Sequence, residues 1–149
     1  MRKQITILIL MFCYLGYGQN SDLCNNIKIN EDKFSKKTSY SSPITDRISF
    51  KKSGAIISIR IDIPGSTLST GEKGVILLLR DGTQISKPNE PIYIGVRDSY
   101  RYSANFTLSK AQIQRIIDNP ITDVKLYIYE AEVFDSEKYS EYLKCLVSM

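Results

Sequence analysis

Through the middle of the chain, apolar residues recur at every second position, the spacing of strands buried on one face. The clearest stretch is 55–63, where Ile57, Ile59, Ile61 and Ile63 alternate with Ser58, Arg60 and Asp62. β-Branched residues in this register predict a strand with one side in the core, stopped by Pro64-Gly65. Val75 to Leu79 is a continuous apolar run, after which Asp81-Gly82 leads into Thr83 to Ile85. That turn chemistry predicts a tight hairpin with positive φ at both central residues. Ile92, Ile94 and Val96 alternate with Tyr93 and Gly95, and Tyr102, Ala104, Phe106 and Leu108 with Ser103, Asn105 and Thr107. Residues 97–101 are therefore expected to connect two further strands. Val124, Leu126 and Ile128, alternating with Lys125, Tyr127 and Tyr129, predict one more. The segment Asn30 to Lys52 is the most polar, and 39–43 is expected to be an ordered loop or short edge strand.

At Leu108 the period changes. Ser109 and Gln112 stand at the spacing of a capping box, in which each side chain satisfies a backbone N–H left open by the helix start. Ile113, Ile116 and Ile117 share one helical face, and Asn119-Pro120 ends the helix. Tyr139, Tyr142, Leu143 and Leu146, spaced by three and four, predict a terminal helix capped by Asp135 or Ser136, with Cys145 on its flank. Several strands joined by turns, with two short α-helices in the C-terminal third, predict a mainly β fold. It is expected to be an antiparallel β-sandwich or a strongly curved sheet, with the helices covering one end or face. Parallel winding is disfavoured, because helices do not alternate with the early strands.

The start of the chain changes the picture. Arg2 and Lys3 precede an apolar run from Ile5 to Leu15, followed by Gly16 and Gly18 at the small-residue positions of a cleavage site. Residues 1–18 are expected to be a cleavable signal peptide and 19–149 a single β-rich domain. The run is about half of the roughly 20 apolar residues a membrane span needs, so no stable membrane anchor is expected. Cys13 follows Phe12, without the small residue that precedes a lipid-modified cysteine. The basic start and the Gly-Tyr-Gly-Gln ending resemble the leaders of exported bacterial proteins, a resemblance confined to the leader. Export predicts a periplasmic or extracellular location, where thiols oxidise. Cleavage leaves Cys24 and Cys145, expected to pair and close a loop of about 120 residues. The alternative is two unpaired buried thiols.

The full chain carries a formal charge of +4; without Arg2 and Lys3 it has 18 basic and 16 acidic residues. Lys36-Lys37 and Lys51-Lys52 are its tight basic pairs, expected at solvated loop or edge positions. Such a near-neutral, dispersed pattern is not that of a nucleic-acid binder.

The chain contains no histidine, which excludes Ser-His-Asp and Cys-His nucleophile pairs and histidine-containing zinc sites. Gly71-Glu72-Lys73-Gly74 lacks the spacing of a phosphate loop, and Asn30-Glu31-Asp32 lacks the ligand alternation of a calcium loop. No cofactor, metal or catalytic residue is assigned. A pair of carboxylates drawn from Asp62, Glu130 and Glu132 is the enzymatic option that remains. Tyrosine is more suggestive: eight remain after the leader, with no tryptophan. Tyr93, Tyr127 and Tyr129, opposite the aliphatic faces of their strands, are candidates for an aromatic ligand platform. The alternative is that the Tyr139/Tyr142 face of the last helix covers them as a second core layer. Tyr100, Arg101 and Tyr102 form a second candidate patch at a strand connection. Asn105-Phe106-Thr107 matches the glycosylation pattern within an expected strand. The sequence thus predicts an exported, non-enzymatic binding or structural module acting through a protein or glycan contact surface. The alternative is a small glycosidase-like hydrolase using two carboxylates.

Overall fold

A computed structural model describes residues 22–44, 47–96 and 99–149; the expected signal segment lies outside them. After a 3-10 turn at Asp22–Asn26 come β1 (Lys28–Glu31), β2 (Thr38–Ser41), β3 (Ile48–Ser53), β4 (Ile56–Gly65), β5 (Lys73–Leu79), β6 (Gln84–Pro91), β7 (Tyr93–Val96) and β8 (Tyr100–Thr107). Helix α1 (Lys110–Asp118), β9 (Ile121–Leu126), β10 (Tyr129–Glu132) and helix α2 (Ser136–Ser148) follow. The strands form two antiparallel sheets, ordered β1-β2-β3-β4-β8-β7 and β10-β9-β5-β6, an architecture of β-sandwich type.

Each sheet buries one face. Ile57, Ile59, Ile61 and Ile63 of β4 are all but inaccessible, flanked by Ile48 and Phe50 on β3 and by Tyr102, Ala104 and Phe106 on β8. Val75, Leu77 and Leu79 of β5, with Ile85, Val124 and Leu126, close on them from the other sheet. The chain passes directly from the edge strand β6 to the opposite edge strand β7 through buried Ile92, which closes one side of the sandwich. Helix α2 closes the rest: Tyr139, Tyr142, Leu143, Cys145 and Leu146 are buried, and the helix touches β3 of one sheet and β9 of the other. The Ser140 hydroxyl donates to the Ile117 carbonyl at 3.0 Å and locks α2 to α1.

The expected capping box is present. Ser109 Oγ accepts from Gln112 N at 3.2 Å, and Gln112 Oε1 accepts from Ser109 N at 3.0 Å. Cys24 and Cys145 are disulfide-bonded, with Cα atoms 5.4 Å apart, tying the 3-10 turn to α2.

Several local expectations are corrected. β4 does not stop before Pro64-Gly65 but runs through both, paired with β8 as far as Gly65 and Tyr100. The Asp62 N–H donates to Arg47 O on the β3 side, so position 64 faces the same side, beyond the end of β3. Proline's missing donor therefore breaks no bond of the β3–β4 ladder, which begins at Ile48. The β5–β6 connection is a three-residue loop, Arg80 to Gly82, with positive φ at Gly82 and not at Asp81. Asp81 Oδ1 accepts from Thr83 N at 2.9 Å and Thr83 Oγ1 at 2.7 Å, which holds its carboxyl below the usual range and fixes the type I turn with a following bulge. Residues 39–43, expected as an ordered loop or short edge strand, do contribute a short strand, β2, but it lies inside the sheet, flanked by β1 and β3. β3 was hidden because only Ile48 and Phe50 mark its inner face, although buried Ser42 secures it by accepting from Phe50 N at 2.9 Å. The capping expected for α2 is absent: Asp135 is left-handed (φ 55°) and makes no side-chain cap, and Ser136 Oγ accepts instead from Arg80.

The strand expected over 124–129 is broken by a two-residue turn at Tyr127-Ile128, with Leu126 paired to Tyr129. Tyr127 occupies the left-handed region (φ 57°), as Gly54 (φ 59°) does at the first central position of the β3–β4 turn. A tyrosine there stores backbone strain that a glycine would not. We expect Tyr127→Gly to raise unfolding stability by about 0.5 to 1 kcal/mol, read as a higher urea midpoint at unchanged slope; a lower midpoint would show that the ring's contacts outweigh the strain. Replacing Cys145 by serine is expected to cost about 4 to 5 kcal/mol in the loop-entropy account, measured in the same way. A loss below about 1 kcal/mol would mean that α2 stays docked without the crosslink.

Candidate functional site

Strand pairing sorts the expected site residues onto different surfaces. On the outer face of the six-stranded sheet, register aligns three cross-strand rows: Ser49, Arg60 and Asn105; then Asp62, Ser103 and Tyr93; then Pro64, Arg101 and Gly95. All belong to the strand positions that alternate with the buried isoleucine side, so the face is polar because its reverse is apolar. Arg60 grips Asp62 two residues along, Nε to Oδ2 at 2.7 Å and Nη2 to Oδ1 at 3.1 Å. The pair fixes both side chains along the strand. On either side of Arg60 lies a shallow depression. One, of about 220 Å³, is lined by Ser49, Lys51, Ser58 and Asn105; the other, of about 200 Å³, by Asp62, Gly95, Arg101 and Ser103. Tyr93, 62% exposed on the edge strand β7, stands beside the second.

The two tyrosine groupings expected from the sequence are not formed. Tyr100, Arg101 and Tyr102 lie within β8 rather than at a connection, so alternation sends Arg101 outward and its neighbours inward. Tyr102 is completely buried, and Tyr100 packs against the core. Arg97 and Asp98, in the connection itself, lie outside the described residues. Tyr93, Tyr127 and Tyr129 sit on β7, in the β9–β10 turn and on β10, and therefore do not line one strand face. The turn at Tyr127 reverses the chain and redirects Tyr129 toward the core, where its ring meets that of Tyr102 with centroids 4.6 Å apart. Tyr139 and Tyr142 are buried on the core side of α2.

Tyr102 and Tyr129 together clasp the chain leaving β4. Tyr102 donates its hydroxyl proton to Thr67 O at 2.8 Å, and the Tyr129 oxygen accepts from Thr67 N at 3.0 Å, with Thr67 Oγ1 at 2.6 Å and Ser66 Oγ at 3.2 Å. Only glycine fits at position 65, because a Cβ there would stand 2.4 Å from the Tyr102 ring.

The four-stranded sheet has its own outer groove, of about 500 Å³. Ile76 and Leu78 form an apolar floor, walled by Asp123, Lys125, Glu130 and Glu132. Glu132 lies directly opposite Asp123, and Glu130 opposite Lys125, whose Nζ is 3.7 Å from its carboxylate. Asp62, on the other sheet, is committed to Arg60 and belongs to a different surface from these acids. Among the described residues no group of three His, Cys, Asp or Glu side chains is placed to hold a metal.

Of the sequence candidates, then, Tyr93 and Arg101 share a surface, to which the structure adds Arg60, Asp62, Ser103 and Asn105. Their outward placement was legible from alternation; their adjacency required the strand order β4-β8-β7.

The ring of donors around Tyr129 has a measurable consequence. Hydrogen bonds from the Ser66 and Thr67 side chains favour the phenolate and bring its pKa from 10.0 down to about 8. An ultraviolet titration of the folded protein should show one tyrosine ionising near pH 8, absent in Tyr129→Phe. Because the folded value lies below the unfolded one, the associated stability is gained as pH rises from about 8 toward 10 and lost as pH falls back through 8. A titration in which every tyrosine ionises near its ordinary value would mean the clasp is open in solution.

Comparison with protein-family models, with curated proteins and with solved structures finds no match to this chain, so the geometry of its own residues carries the functional reading.

Proposed function

We propose that the protein is an exported binding module that engages a protein or glycan partner through the outer face of its six-stranded sheet. The carrying observation is that Tyr93 and Arg101 share that face with the fixed Arg60–Asp62 pair. Tyrosine and arginine are the residue types that most often anchor interfaces, since each offers a large contact surface with a directional polar end. Ser103 and Asn105 add hydrogen-bonding groups between them, and a sheet holds all of these at small ordering cost on binding. Export is supported by the leader pattern of residues 1–18 and by the Cys24–Cys145 disulfide, which suits an oxidising compartment. Among the described residues no helix is long and apolar enough to cross a membrane.

A second reading, a small hydrolase, is favoured by one observation. Asp123 and Glu132 are directly opposed on the wall of the larger groove. Opposed side chains on one sheet face have Cβ atoms about 4.5 to 5.5 Å apart, near the carboxyl spacing of retaining glycosidases.

One experiment separates the two. The tagged protein is used to capture partners from its own envelope and medium fractions, and recovered glycans are assayed for cleavage. Tyr93→Ala and Arg101→Ala should each weaken capture by about tenfold or more while Glu132→Gln leaves it unchanged. Unchanged capture in both of the first variants would sink the binding face; glycan cleavage lost in Glu132→Gln would establish the hydrolase.

A further inference from the structure

The end of the six-stranded sheet opposite the tyrosine clasp carries a feature that neither face explains. Every residue from 28 to 37 is exposed, and Phe34, at the tip of the β1–β2 hairpin, is 99% exposed. An unfastened loop would let such a ring fold back onto the protein. This loop is fastened: Asp32 Oδ1 accepts from Phe34 N and Ser35 N, both at 2.8 Å, Asp32 N donates to Lys37 O at 2.9 Å, and Lys36 N donates to Asp32 O at 2.8 Å. The Asp32 carboxylate is occupied by backbone donors, while Lys33, Lys36 and Lys37 are exposed cations on the same loop as the ring.

Strand register extends the patch. Ser39 at the start of β2 pairs with Ser53 at the end of β3, and Tyr40 with Lys52. The two lysine pairs that stand apart in the sequence are thereby brought to one end of the sheet. The β3–β4 turn at that end leads into Ile56, a second exposed apolar side chain at 58%. The arrangement is an exposed apolar hairpin tip with lysines before and after it on the same loop.

We infer that this end of the sheet is a docking surface for an anionic lipid membrane, in which Phe34 enters the acyl boundary and the lysines meet the headgroups. A fully exposed aromatic ring gains by leaving water, and lysine stems let their ammonium groups stay at the phosphate level while the ring goes deeper. Each lysine near an anionic surface strengthens attachment by about fivefold, and burying the ring by about tenfold or more. The site is independent of the Tyr93–Arg101 face and stands or falls without it.

The chain has no tryptophan, so Phe34→Trp makes a single fluorescent reporter at the tip. The full-length variant is titrated with phosphatidylcholine vesicles, with and without phosphatidylglycerol, and with a soluble polyanion. A second variant, Ile128→Trp, carries its reporter in the β9–β10 turn at the clasp end of the molecule and detects any insertion not made through the tip. The expected result is a blue shift of the tip reporter's emission, and its quenching by brominated acyl chains, on anionic vesicles only. Adding Lys33→Glu and Lys37→Glu should weaken it by more than about tenfold with an unchanged circular dichroism spectrum, and the clasp-end reporter should not respond. The inference is overturned if the tip reporter keeps its aqueous emission on anionic vesicles, if the clasp-end reporter shifts equally, or if the soluble polyanion produces the same shift. The last outcome would assign the patch to an acidic macromolecule.

Discussion

Everything in this fold is arranged around the burial of one side of β4. Ile57, Ile59, Ile61 and Ile63 lose nearly all contact with water, and each such side chain contributes about 1.5 to 3 kcal/mol when fully buried. A strand cannot bury one face without committing the other. The same four isoleucines that require a second sheet therefore also set Ser58, Arg60 and Asp62 outward as a polar row. Neighbouring β3 and β8 obey the same register, so the sandwich interior and the candidate binding face are two sides of a single constraint. A one-residue slip of β4 against β8 would exchange them.

How much of this was legible in the sequence follows from which signals are local. The isoleucine alternation, the Ser109–Gln112 capping box and the apolar spacing of the last helix depend on neighbours a few residues away, and each appears where the pattern placed it. The β9–β10 turn was not legible, because Tyr127 adopts a conformation its residue type disfavours and no glycine or asparagine marks it. What holds that turn is distant: Tyr127 N donates to Gly74 O, and Tyr129 is fastened to Ser66 and Thr67. A tertiary contact outweighs a local preference there, as it does at Pro64-Gly65, where the end of β3 rather than the proline decides what the strand can do.

The candidate site divides in the same way. Alternation alone assigns Arg101 to the outside and Tyr102 to the inside, so a patch of three consecutive residues was never geometrically available within a strand. Which outward residues become neighbours depends on strand order: β8 meets β7 through a short connection, but it meets β4 across a sequence separation that no short-range pattern encodes. The lysine pairs teach the same lesson. Lys36-Lys37 and Lys51-Lys52 read as scattered charge along the chain, yet antiparallel pairing of β2 with β3 folds them to one margin.

The closure of the sandwich explains why so different a pair of surfaces can coexist. Helix α2 touches β3 and β9, one strand from each sheet, and the disulfide binds it to the 3-10 turn that precedes β1. That crosslink anchors the chain immediately before the exposed hairpin, so β1 and β2 extend from a fixed base although β1 buries nothing of its own. The candidate binding face lies along the strands and the lysine-bearing tip at their ends. A molecule held at a surface by its strand ends keeps its sheet faces turned sideways into solvent, where a partner can reach them. Because side chains on a strand point perpendicular to its direction, occupation of one surface leaves the other geometrically open.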